Sequence, residues 1–399
     1  MNKISIRYKN GSAHPLRPAI VLGCVVLAHG AWADEYSLEY GVEAGYEYDD
    51  NVRLTPDQEI DISGGVLSLP ITLSARTETR SMELAGQLDS SKFNESDYDS
   101  NDQDIQGKIS QEFERGDLEG YAGYTRDSTR TSEFLDTGVV GLDAVRREAV
   151  QAGLSGSHLI TEKNGVIAGV DYLSVDFAQE PYVDFNFYSG YLGGTHQWSE
   201  RTRLRLQAYA NRYENGGQID VTSDTIGGQA GFDSELSEKL TTSLLAGWAE
   251  VDTKYESNLP QVPGDDSDGA LLFQASVNYR EDRYQLSARF LDEPQPSADG
   301  VLVESRRMTV DYRYRLTERS RFDLAVTGGK RQAVSGGEFN ERDYARASLR
   351  LDYRLSPSWY VAGRYVYSWQ DQQQATGDAD SNAVYVNLIY QPEKLVWSR

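Results

Sequence analysis

Cysteine occurs once in the 399 residues, histidine four times and methionine three times. No disulfide framework can be built from one cysteine, and no zinc site from so few soft ligands. Long apolar runs are also missing beyond the first 30 residues, and the hydrophobic fraction is only 39%. A bundle of membrane-spanning helices needs about 20 consecutive apolar residues per helix, so that architecture is excluded. Basic residues are scarce beside acidic ones, 39 against 62, for a formal charge of −23. Such a surface repels phosphate backbones, which argues against nucleic acid as a partner. Low hydrophobicity with high charge is also a composition of disorder. Against that stand 26 Tyr, 11 Phe and 6 Trp, most of them set at strand spacing.

Residues 1–33 read as an export signal. Lys3, Arg7, Lys9 and Arg17 precede an apolar run from Ala19 to Ala28, and Ala31-Trp32-Ala33 fits the small-x-small cleavage pattern. Val21-Leu22-Gly23-Cys24 resembles a lipoprotein site, but the apolar run continues past the cysteine. Cleavage after Ala33 leaves a cysteine-free domain, residues 34–399, still more acidic than the whole chain.

That domain alternates. Tyr36, Leu38, Tyr40, Val42, Ala44, Tyr46 and Tyr48 interleave with Ser37, Glu39, Gly41, Glu43, Gly45 and Glu47. A period of two sends the apolar set to one face of a strand and the carboxylates to the other. The pattern recurs in pairs of strands joined alternately by short polar turns, such as Glu78-Thr79-Arg80, and by longer acidic connections, such as Asp49–Asp61. Nine long connections and eight short turns predict 18 strands, within a range of 16–18. Alternation in Ala144–Leu159 and Ser189–Trp198 is the least regular. A closed antiparallel up-and-down barrel with an apolar exterior and a polar interior satisfies all of this. At this size such a barrel encloses an aqueous channel, so the expectation is an all-β transmembrane barrel in the outer membrane of a Gram-negative bacterium, with lipid around it.

The polar alternates are then pore-lining candidates. Glu39, Glu43 and Glu47 lie early in the chain; Arg203, Arg205, Arg289, Arg313, Arg315, Arg346, Arg350, Arg354 and Arg364 lie late. Rows of charge on a wet wall set selectivity, whereas cross-strand pairing would make them structural. Closure brings the Glu row close to the last Arg rows. The connection Asp127–Asp143 carries Phe134, Leu135, Val139, Val140 and Leu142, apolar enough either to fold inward as a constriction or to prolong a strand outward. The Asp97–Asp104 and Asp265–Asp268 clusters lack the glycine and glutamate of a calcium loop, so no metal site and no cofactor is expected. Neither His158 nor His196 belongs to a recognisable nucleophile–base set, and the chain is not expected to be an enzyme.

Tyr46-Glu47-Tyr48-Asp49-Asp50-Asn51-Val52 resembles the opening of the outer-membrane β-barrel porins found near exopolysaccharide-synthesis genes. The motif residues are Tyr46, Tyr48, Asp49, Asp50, Asn51 and Val52. The resemblance implies a pore that passes a secreted polysaccharide and works with separate periplasmic and inner-membrane components. A general diffusion porin for small solutes and a non-conducting adhesive barrel remain the alternative readings of the same pattern.

Overall fold

A computed structural model describes residues 33–130, 132, 144–217, 219–256, 264–334, 341–373 and 377–398. The expected export signal, apart from its last residue, and most of the Asp127–Asp143 connection lie outside these residues. The chain forms one antiparallel sheet closed on itself. Its first segments are β1 (Glu35–Tyr40), β2 (Val42–Asp49), β3 (Ile62–Arg76), β4 (Arg80–Phe93), β5 (Ser100–Phe113) and β6 (Gly116–Ser128). Next come β7 (Arg146–Leu159), β8 (Asn164–Phe177), β9 (Phe185–Ser199), β10 (Thr202–Asn215), β11 (Asp220–Ser237), β12 (Leu240–Glu256) and β13 (Asp266–Arg280). The last are β14 (Tyr284–Pro296), β15 (Leu302–Arg315), β16 (Ser320–Ala333), β17 (Arg342–Arg354), β18 (Trp359–Gln372), β19 (Asp378–Tyr390) and β20 (Leu395–Ser398).

These segments make 18 strands, because β1 and β2 are one strand interrupted at Gly41, and β19 and β20 share the last position. At the seam β2 pairs with β19 while β1 pairs with β20, and both β1 and β2 pair with β3 on the other side. Closure leaves no open edge for another strand to join.

The outer face is apolar along its middle. Leu192 is 65% exposed, Leu206 66% and Ile226 72%, although each lies mid-strand. Water would not tolerate so continuous a belt, and a bilayer buries it. Aromatics flank the belt, with Trp198 and Trp359 toward the short turns and Tyr46 and Tyr48 toward the long loops. Tyr and Trp suit both interfaces because one end of the ring is apolar and the other wet. The two least regular sequence stretches form ordinary strands, β7 and β9, and β9 begins four residues earlier than expected, at Phe185.

Five short turns share a construction that sequence reading passed over. Thr77, Thr161, Ser199, Ser237 and Thr317 are each followed by Glu. Each hydroxyl accepts the backbone N–H two residues on, at 3.1–3.3 Å. A hydroxyl satisfying that amide holds the tight reversal without a φ > 0 residue. The quasi-repeat thus carries a recurring Ser/Thr-Glu turn motif.

The interior departs from a uniformly wet lumen. Val175, Phe185, Tyr213, Val221 and Val251, on neighbouring strands β8 to β12, form a buried apolar cluster near the long-loop end. Residues 297–300, between β14 and β15, fold inward beside it. Tyr213 Oη donates to the Ser297 carbonyl at 3.4 Å and Asn215 Nδ2 to that of Gly300 at 2.6 Å. Since β14 lies four strands from β10, this connection crosses the mouth. It meets the β8–β9 connection, where Val183 N–H donates to the Ala298 carbonyl at 2.8 Å. The acidic connections are therefore not all external; the one between β14 and β15 turns in and buries Ala298.

The lumen as candidate functional site

One cavity of about 610 Å³ lies against the seam. Of the residues anticipated as pore-lining, Glu43, Glu47, Arg346, Arg350 and Arg364 border it. Their meeting follows from closure. Across four adjacent strands the register runs Arg350, Arg364, Tyr385, Glu47 at one level. Like charges directly opposite one another repel, so the Arg350–Arg364 juxtaposition needs relief. The Arg364 guanidinium lies 3.9 Å from the centre of the Tyr385 ring, and Arg350 Nε binds Asp352 at 2.8 Å. Tyr385 Oη in turn donates to Glu47 Oε1 at 3.2 Å.

The remaining anticipated residues do not join them. Arg205 borders a second cavity and binds Asp233 at 3.2 Å. Glu39 pairs with Lys394 at 3.0 Å, Arg203 donates to Gln197 at 3.3 Å and Arg313 binds Asp323 at 2.6 Å. Arg289 sits opposite Ser276 and Thr309, Arg315 opposite Arg321, and Arg354 opposite Tyr360. The expected row of arginines thus separates into a seam group and a group spread toward the short turns, several of them held by cross-strand partners.

Across the seam cavity stands an acidic wall that sequence reading left unassigned. Asp89, Asp102, Asp104 and Asp127 from β4, β5 and β6 face the arginines of β17 and β18. The alternation of their strands was the available signal, but Asp102 and Asp127 read as ends of connections, and Asp102 and Asp104 only as part of a calcium-like cluster. Arg130 was missed for the same reason. It leaves the end of β6, stacks on Phe93 with 5.0 Å to the ring centre, and places Nη1 3.0 Å from Glu47 Oε1. The start of the Asp127–Asp143 connection therefore turns into the lumen; the five apolar residues that suggested a constriction lie outside the described residues.

A second cavity of about 750 Å³ lies on the side of β7 to β15 and borders the first at Thr125 and Asp127. Its lining is rich in glutamine and aromatic rings.

The Tyr46–Val52 motif sits at the seam, where Asp49, Asn51 and Val52 also border the first cavity. Tyr46 and Tyr48 point outward, 55% and 42% exposed. Asp49 Oδ1 accepts from Ser381 Oγ at 2.7 Å, and the Asp50 carboxylate accepts from Asn382 N and Nδ2 at 2.7 and 2.9 Å. Asn51, 2% exposed, donates to the carbonyls of Thr55 and Asp380, both at 2.9 Å. Val52 N–H donates to the Ile60 carbonyl at 3.0 Å and starts the loop back. The motif fastens the first strand of the barrel to the last.

His196 Nδ1 lies 2.8 Å from Asn164 Oδ1 at the short-turn end, in an amide contact rather than a nucleophile–base pair. Neither a family model nor a curated protein matches the chain. Among solved structures it is similar to OccAB3 of Acinetobacter baumannii, with TM-score 0.43, 12% identity and coverage of 90% of this chain and 99% of that one. It is also similar to OpdQ of Pseudomonas aeruginosa, with TM-score 0.43, 10% identity and coverage of 89% and 98%. The siderophore receptor PirA from Pseudomonas aeruginosa has TM-score 0.42 and 11% identity, covering 88% and 80%. Identities this low speak to the fold alone.

Proposed function

We infer that this barrel is an outer-membrane pore for hydrophilic solutes, and that its cargo is a secreted polysaccharide. The carrying observation is the pair of adjoining cavities, about 610 and 750 Å³, inside a wall whose outer surface is apolar. A solute in either cavity meets a lining rich in charged, amide and hydroxyl groups, while lipid meets the apolar opposite face. Closed barrels of this kind belong to the outer membrane, where both edges and backbone groups are satisfied without helices. The polysaccharide reading is supported by the seam motif and by amide and hydroxyl groups in the larger cavity, which match sugar hydroxyls in hydrogen-bonding type. Periplasmic and inner-membrane synthesis components would supply the polymer.

A general diffusion porin is the second reading, favoured by the opposition of Arg346, Arg350 and Arg364 to the aspartates of β4 to β6. The two separate by deletion and reconstitution. Loss of the chain should abolish export of surface polymer while uptake of small nutrients continues; the reverse result overturns the polysaccharide reading in favour of the porin. Purified protein that never conducts in planar bilayers would overturn both.

A further inference from the structure

We propose that the larger cavity is a binding subsite for uncharged sugar units, which makes the cargo a neutral glycan rather than an acidic one. This rests on the pore reading given above. The central observation is a pair of adjacent inward-facing rows across β8 to β12. In one, Tyr191 and Tyr209 are direct cross-strand partners, flanked by Gly169 on β8 and Gly227 on β11. In the next, Gln207 and Gln229 are direct partners, flanked by Gly193 on β9 and Gly247 on β12.

The flanking glycines give the rows their shape. A Cβ on Gly169 would lie 2.5 Å from Tyr191 Cε1, so only glycine lets that ring lie down against the wall. A Cβ on Gly193 would lie 2.8 Å from Gln207 Cβ, which similarly keeps the amide row flush. The Tyr191 ring, lying along the wall at Gly169, offers its face rather than its edge to whatever fills the lumen. Aromatic faces pack against the apolar C–H surface of a sugar ring. Beside them, Gln207 Nε2 donates to Gln229 Oε1 at 2.9 Å. This bond fixes one amide against the other and leaves a second N–H and further oxygen lone pairs, the donor and acceptor set that hydroxyls require.

Charge decides the ligand class. The cavity is bordered by three acidic and three basic side chains, Asp127, Asp171, Glu293, Arg147, Arg205 and Arg307. Most of them are occupied within the wall. Arg147 binds Asp127 at 3.3 Å, Arg205 binds Asp233 at 3.2 Å, Glu293 accepts from Gln274 at 2.9 Å and Asp171 from Tyr121 at 2.7 Å. A charged ligand would gain little net field and would have to break those contacts. The volume falls within the ~300–1,000 Å³ of pockets that hold small ligands.

The test uses the full barrel in planar bilayers, with cellohexaose or maltohexaose added as neutral probes and oligogalacturonate of equal length as the charged one. The expected result is transient block of ion current by a neutral hexamer, with the charged oligomer needing about tenfold higher concentration or more. Tyr191→Ala should raise the half-blocking concentration by about tenfold, and Gln229→Leu should do so in an independently made barrel. Heat-modifiable gel migration confirms that each variant is closed. An open channel that neither neutral hexamer blocks, equal block by the acidic oligomer, or block unchanged in both variants would overturn the inference while leaving the pore intact. A channel that never opens would instead remove the pore reading on which it rests.

Discussion

Arg130 and Glu47 form an ion pair 3.0 Å long between the connection after β6 and the far wall of the lumen, with only 12% and 5% of their side chains exposed. Three strands, β3 to β5, lie between β2 and β6 in the sheet, so the contact reaches across the cavity that they border. Removing one partner from so buried a pair leaves the other charge without compensation, at a cost of up to about 3–5 kcal/mol. Glu47 keeps Tyr385 as a donor, and its strand is held by pairing on both sides. The loss therefore falls on the docking of the connection. Arg130→Gln should raise mean single-channel conductance and increase flicker, Glu47→Gln should do the same, and the swap Arg130→Glu with Glu47→Arg should restore the quieter state. Unchanged traces in both single variants would show that the pair does not hold the passage.

The arginines of the seam cavity should govern ion selectivity. Arg346, Arg350 and Arg364 offset the carboxylates of Asp89, Asp102, Asp104 and Asp127 across one space. Replacing all three with Gln removes the offset, and the reversal potential in a KCl gradient should move toward the potassium value. Arg315→Gln and Arg354→Gln alter charges outside that cavity. Screening over about 8–10 Å at ordinary salt should leave those two with a much smaller shift. Equal shifts from both sets would mean that the narrow region lies elsewhere.

The seam motif yields a stability prediction. Asn51 is buried and its side chain donates to two carbonyls, one of them on β19. Asn51→Ala removes both of these bonds and the one that its Oδ1 accepts from Thr55 N–H at 3.3 Å, so it should cost roughly 2–3 kcal/mol in urea unfolding from detergent micelles. Tyr46→Leu, on the lipid face of the same motif, should change stability by less than about 1 kcal/mol. A motif conserving cargo contacts would show the opposite pattern, with export lost in stable barrels.

Alternation made the barrel legible, because each strand must offer one face to lipid and one to water whatever its neighbours do. Tyr36 to Tyr48 states that rule in a single strand, and even the irregular β9 obeys it, with Gly190 and Gly194 standing on the outward face where apolar side chains were sought. That Glu43 and Glu47 would lie near Arg346, Arg350 and Arg364 was also accessible, since closure dictates it, although Glu47 takes Arg130 and Tyr385 as partners. What the sequence hid was direction beyond the strand ends. Ser297-Ala298-Asp299-Gly300 reads as a small polar connection, yet it lies inside the mouth because Tyr213 and Asn215, four strands away, supply partners for its carbonyls. The Asp49–Asn51 cluster read as a family signature, and its physical task became visible only when Asp380 to Asn382 were placed opposite it. Long-range partners of this sort leave no local period.

Asp299 makes that inward connection sensitive to pH. Burial raises its carboxyl above the ordinary 3.8; hydrogen bonding to Ser297 and the nearby Arg342 and Arg331 guanidinium groups oppose the rise without cancelling it. A carboxyl whose folded pKa exceeds its unfolded value favours the folded arrangement when protonated. The docked connection therefore gains stability as pH falls through the raised pKa, and at neutral pH it carries the cost of a buried anion. Acidification of the long-loop side should lower open probability, starting above 3.8 and proceeding as pH drops toward it. Asp299→Asn mimics the neutral acid, so its open probability should be lower than the parent's at neutral pH and nearly flat with acidification. Both statements are read from bilayer recordings with pH varied on one side only. A parent channel that opens on acidification, or an Asp299→Asn channel that still titrates like the parent, would assign the pH response to another group.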